Sequence, residues 1–269
     1  MCSNTTPFEA EIDPKCYTWI SDQTKDYFRQ VVCPMVFASI CGIGILGNFI
    51  VISVIWLKKL TTTVFNMLVV NLAITDLMVL SLTLPLFAHN WMTGIWMFGD
   101  IACRSAQYAF NVTANASIYM VVLMAALRYV SVTRPLLEKL YITSGNVKIS
   151  VCLIWIMSTI ICIPTLTLFE AKEYDIDNET SVHCVIYDDN QEFAHSVYYI
   201  VISFAFPIIL LIVFYTGLVI ELWSTGYQKK HDTVNRRVTK ICVAIVMTFI
   251  VCWLPFRVID TLFVSRRYQ

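Results

Sequence analysis

The chain of 269 residues is 58% hydrophobic and only 14% charged, with no formal net charge and a mean hydropathy of +0.68. A soluble domain carries about 25% charged residues, so this chain has too little polar surface to cover its apolar segments in water, and lipid is its solvent. Its cysteines are scattered without Cys-x-x-Cys or His/Cys ligand spacing, and no His/Ser/Asp or His-Glu-x-x-His constellation is present; a metal framework and hydrolytic chemistry are both unsupported.

Residues 1–30 read as a polar tail whose start, MCSNTTPFEA, lacks the basic-then-apolar order of a signal peptide, so the first span serves as its own insertion signal. Six apolar spans follow, at about residues 31–57, 64–88, 104–132, 149–169, 196–220 and 241–264. Each is long enough to cross a hydrocarbon core, which takes about 20 helical residues. The expectation is one all-α membrane domain. Span three is the most informative. It carries no charge between Arg104 and Arg128, and a helix sets Cys103 and Arg128 about 37 Å apart, on opposite sides of a membrane. Asn111, Thr113, Asn115 and Ser117 interrupt it. Polar side chains at this depth face protein or a wet cavity, not lipid, so span three belongs at the centre of a bundle. Pro85, Pro164, Pro207 and Pro255 lie inside four of the spans. Each would cost about 3 kcal/mol in a helix in water, and neighbouring helices are expected to satisfy the freed carbonyls.

Charge asymmetry orients the chain. Lys58 and Lys59 follow span one; Arg134, Lys139 and Lys148 oppose Glu138 after span three. Lys229, Lys230, Arg236, Arg237 and Lys240 outweigh Glu221 and Asp232 between spans five and six. The other face is acidic, with Glu170, Glu173, Asp175, Asp177, Glu179, Asp188, Asp189 and Glu192 against Lys172 alone. The N-terminus is expected outside. Sequons at Asn4 and Asn178 fall on that outer face, whereas those at Asn111 and Asn115 lie at membrane depth and are expected to stay unmodified. Cys103 and Cys184 share the oxidising side, where a bond between them is favoured. Sequence does not fix this connectivity, and Cys2 with Cys16 is a weaker pairing.

Short patterns now fall in order: Gly47-Asn48 in span one, Asn71-Leu72-Ala73-Ile74-Thr75-Asp76 in span two, and Trp96-Met97-Phe98-Gly99 ahead of Cys103. Arg128-Tyr129-Val130 ends span three with Pro135 beyond it, Trp155 marks span four, and Pro207 and Tyr215 mark span five. Phe249-Ile250-Val251-Cys252-Trp253-Leu254-Pro255 lies in span six. Together they resemble the rhodopsin-like (class A) G-protein-coupled receptors. The resemblance implies a seven-helix bundle of which six spans are present. The sequence stops at Arg266-Arg267-Tyr268-Gln269, where an outer loop would begin, and is expected to be either a fragment or a truncated receptor. Within the class, Asn111 to Leu127 looks most like allatostatin-A and galanin receptors. Arg236-Arg237-Val238-Thr239-Lys240 is similar to somatostatin, opioid and allatostatin-C receptors. An aminergic receptor would carry an aspartate where Phe110 stands.

The resemblance implies a plasma-membrane receptor that catalyses no chemistry, binds an extracellular neuropeptide among membrane lipid, and engages a heterotrimeric G protein, with no nucleic acid involved. The acidic outer loop points to a basic ligand; its bland reading is a solvated, glycosylated loop. Gln107, Phe110, Trp253, Phe256, Arg257 and Asp260 are the ligand-pocket candidates, with His89 and Trp91 beside them. Arg257 and Asp260, at i and i+3, equally well pair with each other. Arg128, Tyr129, Tyr215 and Thr239 would meet the G protein; Arg128 is otherwise a positive-inside anchor. Ile118, Pro207, Phe249 and Trp253 would form the core that rearranges, with Pro255 as the pivot beside Trp253. Asp76 is the carboxylate in the middle of a span, a position costing at least about 2.5 kcal/mol. No cofactor is expected beyond an allosteric sodium ion at Asp76 and Ser117, near Asn48 and Trp253; the alternative is a protonated or hydrogen-bonded structural aspartate.

One departure matters. Leu127 stands before Arg128 where the family has an acid, and span six offers Asn235 and Thr239 in place of another. The resting state is therefore expected to be held less firmly, with basal signalling raised or coupling altered. Two other classes are consistent with membrane spans: a transporter or channel, disfavoured by a single mid-membrane charge and the lack of paired broken helices, and a non-signalling six-span receptor acting through receptor partners. A retinal-binding opsin stays open, because its lysine would lie in the seventh span.

Overall fold

The computed structural model describes residues 27–60, 63–176, 179–186, 188–224 and 244. Five helices there are long and apolar enough to cross a membrane: Gln30–Leu57, Val64–Thr93, Gly99–Thr133, Ser144–Leu168 and Asn190–Glu221. The sixth apolar stretch lies outside the described residues. Most of these helices outrun their apolar runs because polar residues cap them beyond the hydrocarbon. Thr143 accepts from the Asn146 N–H at the start of the fourth span, and Asp188 accepts from the Gln191 N–H ahead of the fifth. Gly94, at φ 76°, closes the second span by donating to the Asn90 carbonyl at 2.8 Å, a left-handed position that suits glycine.

The third span is the axis. Of its most apolar window 61% is buried, against 6% for the first span and 22% for each of the others. It packs against the second, fourth and fifth spans. Asn111, Thr113 and Asn115 are buried, as polar interruptions in a membrane helix require. A short inner helix, Pro135–Tyr141, follows it after a break at Arg134 (φ −138°, ψ 66°).

The prolines are absorbed differently from the sequence expectation. Widened π-helical turns occupy Phe28–Val32, Val79–Thr83 and Val201–Ala205, each ending two residues before a proline: Pro34, Pro85 and Pro207. A proline lacks its N–H, and its ring collides with the carbonyl four residues back. In each turn the residue before the proline donates five residues back: Cys33 to Phe28, Leu84 to Val79, Phe206 to Val201. The helix thus makes room for the ring by shifting its bonds to the carbonyl five residues back. Pro164 is handled by tightening. Span four is interrupted at Cys162, Thr165 N–H donates to the Cys162 carbonyl at 3.0 Å, and Pro164 starts the outer segment Ile163–Leu168, where its missing N–H has no intrahelical partner to lose.

The acidic outer connection, read from sequence as a loop, contains a hairpin. Strand β1 (Phe169–Ile176) pairs antiparallel with β2 (Glu179–Ile186), with Phe169 opposite Ile186 and Ala171 opposite Cys184. Alternation explains it. Phe169, Ala171, Val182 and Cys184 turn inward onto Trp96, Cys103 and Ala106. The hairpin is fixed to the third span by the Cys103–Cys184 disulfide. Trp96 N–H donates to the Val182 carbonyl at 2.6 Å, and Ala171 N–H donates to Asp100 Oδ1 at 3.0 Å. Arg104 then joins Asp100 at 2.7 Å and the Leu166 carbonyl at 3.0 Å. Trp96 is 1% exposed, and its indole N–H donates to the Gly99 carbonyl at 2.8 Å.

Trp96 is the test of that clamp. Trp96→Ala is expected to cost about 3–5 kcal/mol from the lost ring, and Trp96→Phe only about 1 kcal/mol from the lost indole donor. Thermal melting of the protein in detergent measures both.

Candidate functional site

Two cavities flank the third span. The first, of about 340 Å³ at mid-membrane depth, is lined by Asn48 and Gly44 of span one, Thr75 and Asp76 of span two, and Phe110, Thr113 and Ser117 of span three, among others. Three sequence-derived candidates, Asp76, Ser117 and Phe110, therefore share one space with Asn48. The threonine hydroxyls are engaged locally: Thr75 donates to the Leu72 carbonyl at 2.7 Å and Thr113 to that of Ala109 at 2.8 Å. Asp76 and the Ser117 hydroxyl offer oxygen ligands, which suit a hard cation or water rather than a transition metal, with the Asn48 amide beside Asp76. Phe110 packs edge-on against Phe87 with ring centroids 5.6 Å apart. Gln107 lies one turn outward, its carbonyl accepting from the Asn111 amide. His89 meets Phe98 at 5.1 Å and Trp91 meets Phe37 at 6.5 Å, so these two lie at the outer rim, away from the cavity lining.

The third span is tied to the fifth by a polar brace that sequence reading did not identify. Ser203, inside the widened turn before Pro207, donates to Asn115 Oδ1 at 2.8 Å. The Asn115 amide donates to the Asn111 carbonyl at 3.0 Å and to the Cys162 sulfur at 3.3 Å. Four residues on, the Tyr119 hydroxyl donates to the Ile202 carbonyl at 2.7 Å. One acceptor, Asn115 Oδ1, and one donor, the Tyr119 hydroxyl, from the same helix thus hold the turn that precedes Pro207. Tyr199 and Thr165 share a further hydroxyl contact at 3.0 Å, joining spans four and five. The available signal was Ser203 itself, placed four residues before a proline where a carbonyl must be re-paired.

Below the brace, Ile118 is 1% exposed and packs with Val121, Val122, Ala125 and Leu211; Tyr215 and Phe214 lie against the same cluster. Pro207 is buried one turn above Leu211. Tyr129 reaches across to span five, 6.0 Å from Phe214. Gly217 makes room for it, since a Cβ there would come within 2.7 Å of the Tyr129 ring. Ile118 and Tyr215 therefore share one apolar cluster, which Tyr129 meets through Phe214.

At the inner end lies the second cavity, of about 160 Å³, lined by Phe65 and Leu68, by Met124, Leu127, Arg128 and Ser131, and by Glu138 and Ile142, with Val64 at its edge. The Arg128 guanidinium sits 5.0 Å from the Phe65 ring centroid, a cation–π contact. Leu127 packs against the apolar cluster of Leu68, Met124 and Val147. Thr239, Phe249, Trp253, Phe256, Arg257 and Asp260, and the sequons at Asn4 and Asn178, lie outside the described residues.

A family model described as "7 transmembrane receptor (rhodopsin family)" matches residues 47–267. Over 234 residues the chain is 29% identical to the allatostatin-A receptor of Bombyx mori, covering 85% of this chain and 65% of that one. It is 28% identical over 247 residues to the tachykinin-like peptides receptor 99D of Drosophila melanogaster, covering 86% and 47%. A QRFP-like peptide receptor of Branchiostoma floridae is 25% identical over 231 residues, covering 81% and 61%. The chain thus spans roughly half to two thirds of the length of these relatives.

The brace makes a direct prediction. Asn115→Leu and Tyr119→Phe each remove one donor or acceptor at the same turn, and each is expected to cost about 0.6–1.7 kcal/mol. Because both act on residues 201–205, the double variant should lose less than the sum; melting of the four proteins measures the coupling.

Proposed function

Because the chain belongs to the rhodopsin family of seven-transmembrane receptors, which are receptors and not enzymes, we propose that it binds an extracellular basic neuropeptide and drives nucleotide exchange on a heterotrimeric G protein. The carrying observation is that Phe110, Ile118 and Arg128 lie along the one buried third span, Phe110 on the mid-membrane cavity, Ile118 packed on Leu211 of the fifth span, and Arg128 on the inner cavity. Relatives named as receptors for allatostatin-A, tachykinin-like and QRFP-like peptides support a peptide ligand. The acidic hairpin supports a basic one: Glu173 and Asp175 are exposed toward its turn end, where like charges steer an opposite partner.

In this reading the peptide enters beneath the hairpin and contacts Gln107 and Phe110, together with Trp253, Phe256, Arg257 and Asp260 of span six. The brace at Ser203 transmits the displacement to Ile118, and Tyr129, Tyr215, Thr239 and Arg128 present the inner surface to the G protein. Phe249 and Trp253 complete the rearranging core. Asp76 and Ser117 would hold an allosteric sodium ion, which when bound offsets the mid-membrane carboxylate charge. The N-terminus lies outside at the plasma membrane, with Asn4 and Asn178 glycosylated.

The test is nucleotide exchange by the full-length receptor in membranes, challenged with a panel of basic amidated neuropeptides. A peptide that raises exchange severalfold in the wild type and not in Arg128→Ala carries the reading. A peptide that binds without exchange would instead favour a non-signalling receptor acting through partners. Replacing choline by sodium is expected to weaken peptide binding in the wild type and not in Asp76→Asn. Leu127→Asp restores a carboxylate beside Arg128. If that pair favours the resting state by about 1 kcal/mol, basal exchange falls about fivefold; unchanged basal exchange would refute the idea that Leu127 loosens the resting state.

A further inference from the structure

We propose that Glu138 is a positioning residue for Arg128, supplying from the short inner helix the counter-charge that Leu127 does not. Arg128 and Glu138 line the same inner cavity from different elements, and both are half-buried. The cavity, about 160 Å³, has room for several waters. Among the described residues neither side chain joins an ion pair closer than 4 Å, so their coupling acts across the cavity they both line, where water can bridge charged groups and the apolar walls of Phe65, Leu68 and Met124 limit screening.

The chain path aims Glu138 at this cavity. The third span ends at Thr133, Arg134 breaks the helix, and Pro135 opens a new one with Glu138 in its first turn. Glu138 N–H donates to the Arg134 carbonyl at 3.1 Å, and Ile142 N–H donates to the Glu138 carbonyl at 2.9 Å. Ile142 lines the same cavity, so one face of this helix closes it. A first-turn acid also suits the helix dipole. That explains a carboxylate at the start of the helix but not its sharing a cavity with Arg128. Ser131, a turn beyond Arg128, adds a hydroxyl to the same wall. On the other side Phe65 holds the guanidinium by its ring face. Arg128 is thus set between an aromatic ring and a carboxylate at longer range, in place of an adjacent acid.

The pair stands on geometry; its effect on exchange rests on the receptor reading above. The experiment is a melting cycle on the full-length protein in detergent, with Glu138→Gln placed in the wild type, in Arg128→Gln and in Leu127→Asp. Glu138→Gln is expected to lower the melting temperature by about 2–4 °C in the wild type. The shift should shrink to under about 1 °C once Arg128 is neutral or has an aspartate beside it. Equal shifts in all backgrounds, or none in the wild type, would overturn the proposal and leave Glu138 as a helix-end acid. If Leu127→Asp does not fold, the Arg128→Gln background reads the same coupling. Basal exchange is recorded on the same variants, where Glu138→Gln should raise it severalfold. The expected melting cycle with no exchange from any variant would overturn the receptor reading and not the pair.

Discussion

In hydrocarbon no water is available to an unpaired peptide group, so every carbonyl freed by a proline must find another donor within the protein. That constraint shapes the described part of this chain more than any single contact. Three times the answer is a widened turn two residues upstream of the proline. A widened turn holds one extra residue, which bulges the backbone and rotates the residues that follow. At Val201–Ala205 the third span binds it twice, Tyr119 donating to the Ile202 carbonyl and Asn115 accepting from the Ser203 hydroxyl. The fifth span is thereby joined to the axis at the point where its own ladder is least regular.

A polar link at this depth is economical. Each partner left alone in lipid would be costly, so Asn115 and Ser203 stabilise the packed arrangement chiefly by the penalty attached to separating them. The link also tolerates small displacements, because a hydroxyl rotates and an amide offers two ends. The apolar cluster of Ile118, Val122 and Leu211 beneath it has no such freedom; it can change only by repacking. A polar hinge over an apolar column suits a molecule that switches between two packings rather than deforming continuously.

Much of this was legible in the sequence, for physical reasons that differ from element to element. The spans follow from hydropathy and length, and the central place of the third follows from Asn111, Thr113 and Asn115, which lipid would not accept. The Cys103–Cys184 bond was favoured by the face both are expected to share, but its connectivity was left open until the structure joined them. The hairpin was missed although Phe169, Ala171, Val182 and Cys184 alternate with polar neighbours, because the acidic residues between them dominate a reading by charge. The widened turns were missed because a proline announces a lost hydrogen bond but not its replacement. Neighbouring helices were expected to supply donors; at the Pro207 turn Tyr119 of the third span does so, while the widening shifts the helix's own bonds in a way no single residue announces. Nor could periodicity pair Asn115 with Ser203, which are 88 residues apart.

The inner end shows how a departure from a family pattern is best read. Leu127 is not only an absent acid; it is a side chain packed on Leu68, Met124 and Val147, contributing to the junction of spans two, three and four. A carboxylate there would exchange that burial for a charge. The chain keeps the apolar contact and leaves Arg128 to Phe65 and to the cavity that Glu138 lines. Attraction across a wet gap is weaker than an adjacent pair, since water screens it. Arg128 is then released more readily, and the inner helix carrying Glu138 becomes part of what holds it. Any partner that displaces that helix would loosen Arg128 at the same time, so the two inner elements would respond together.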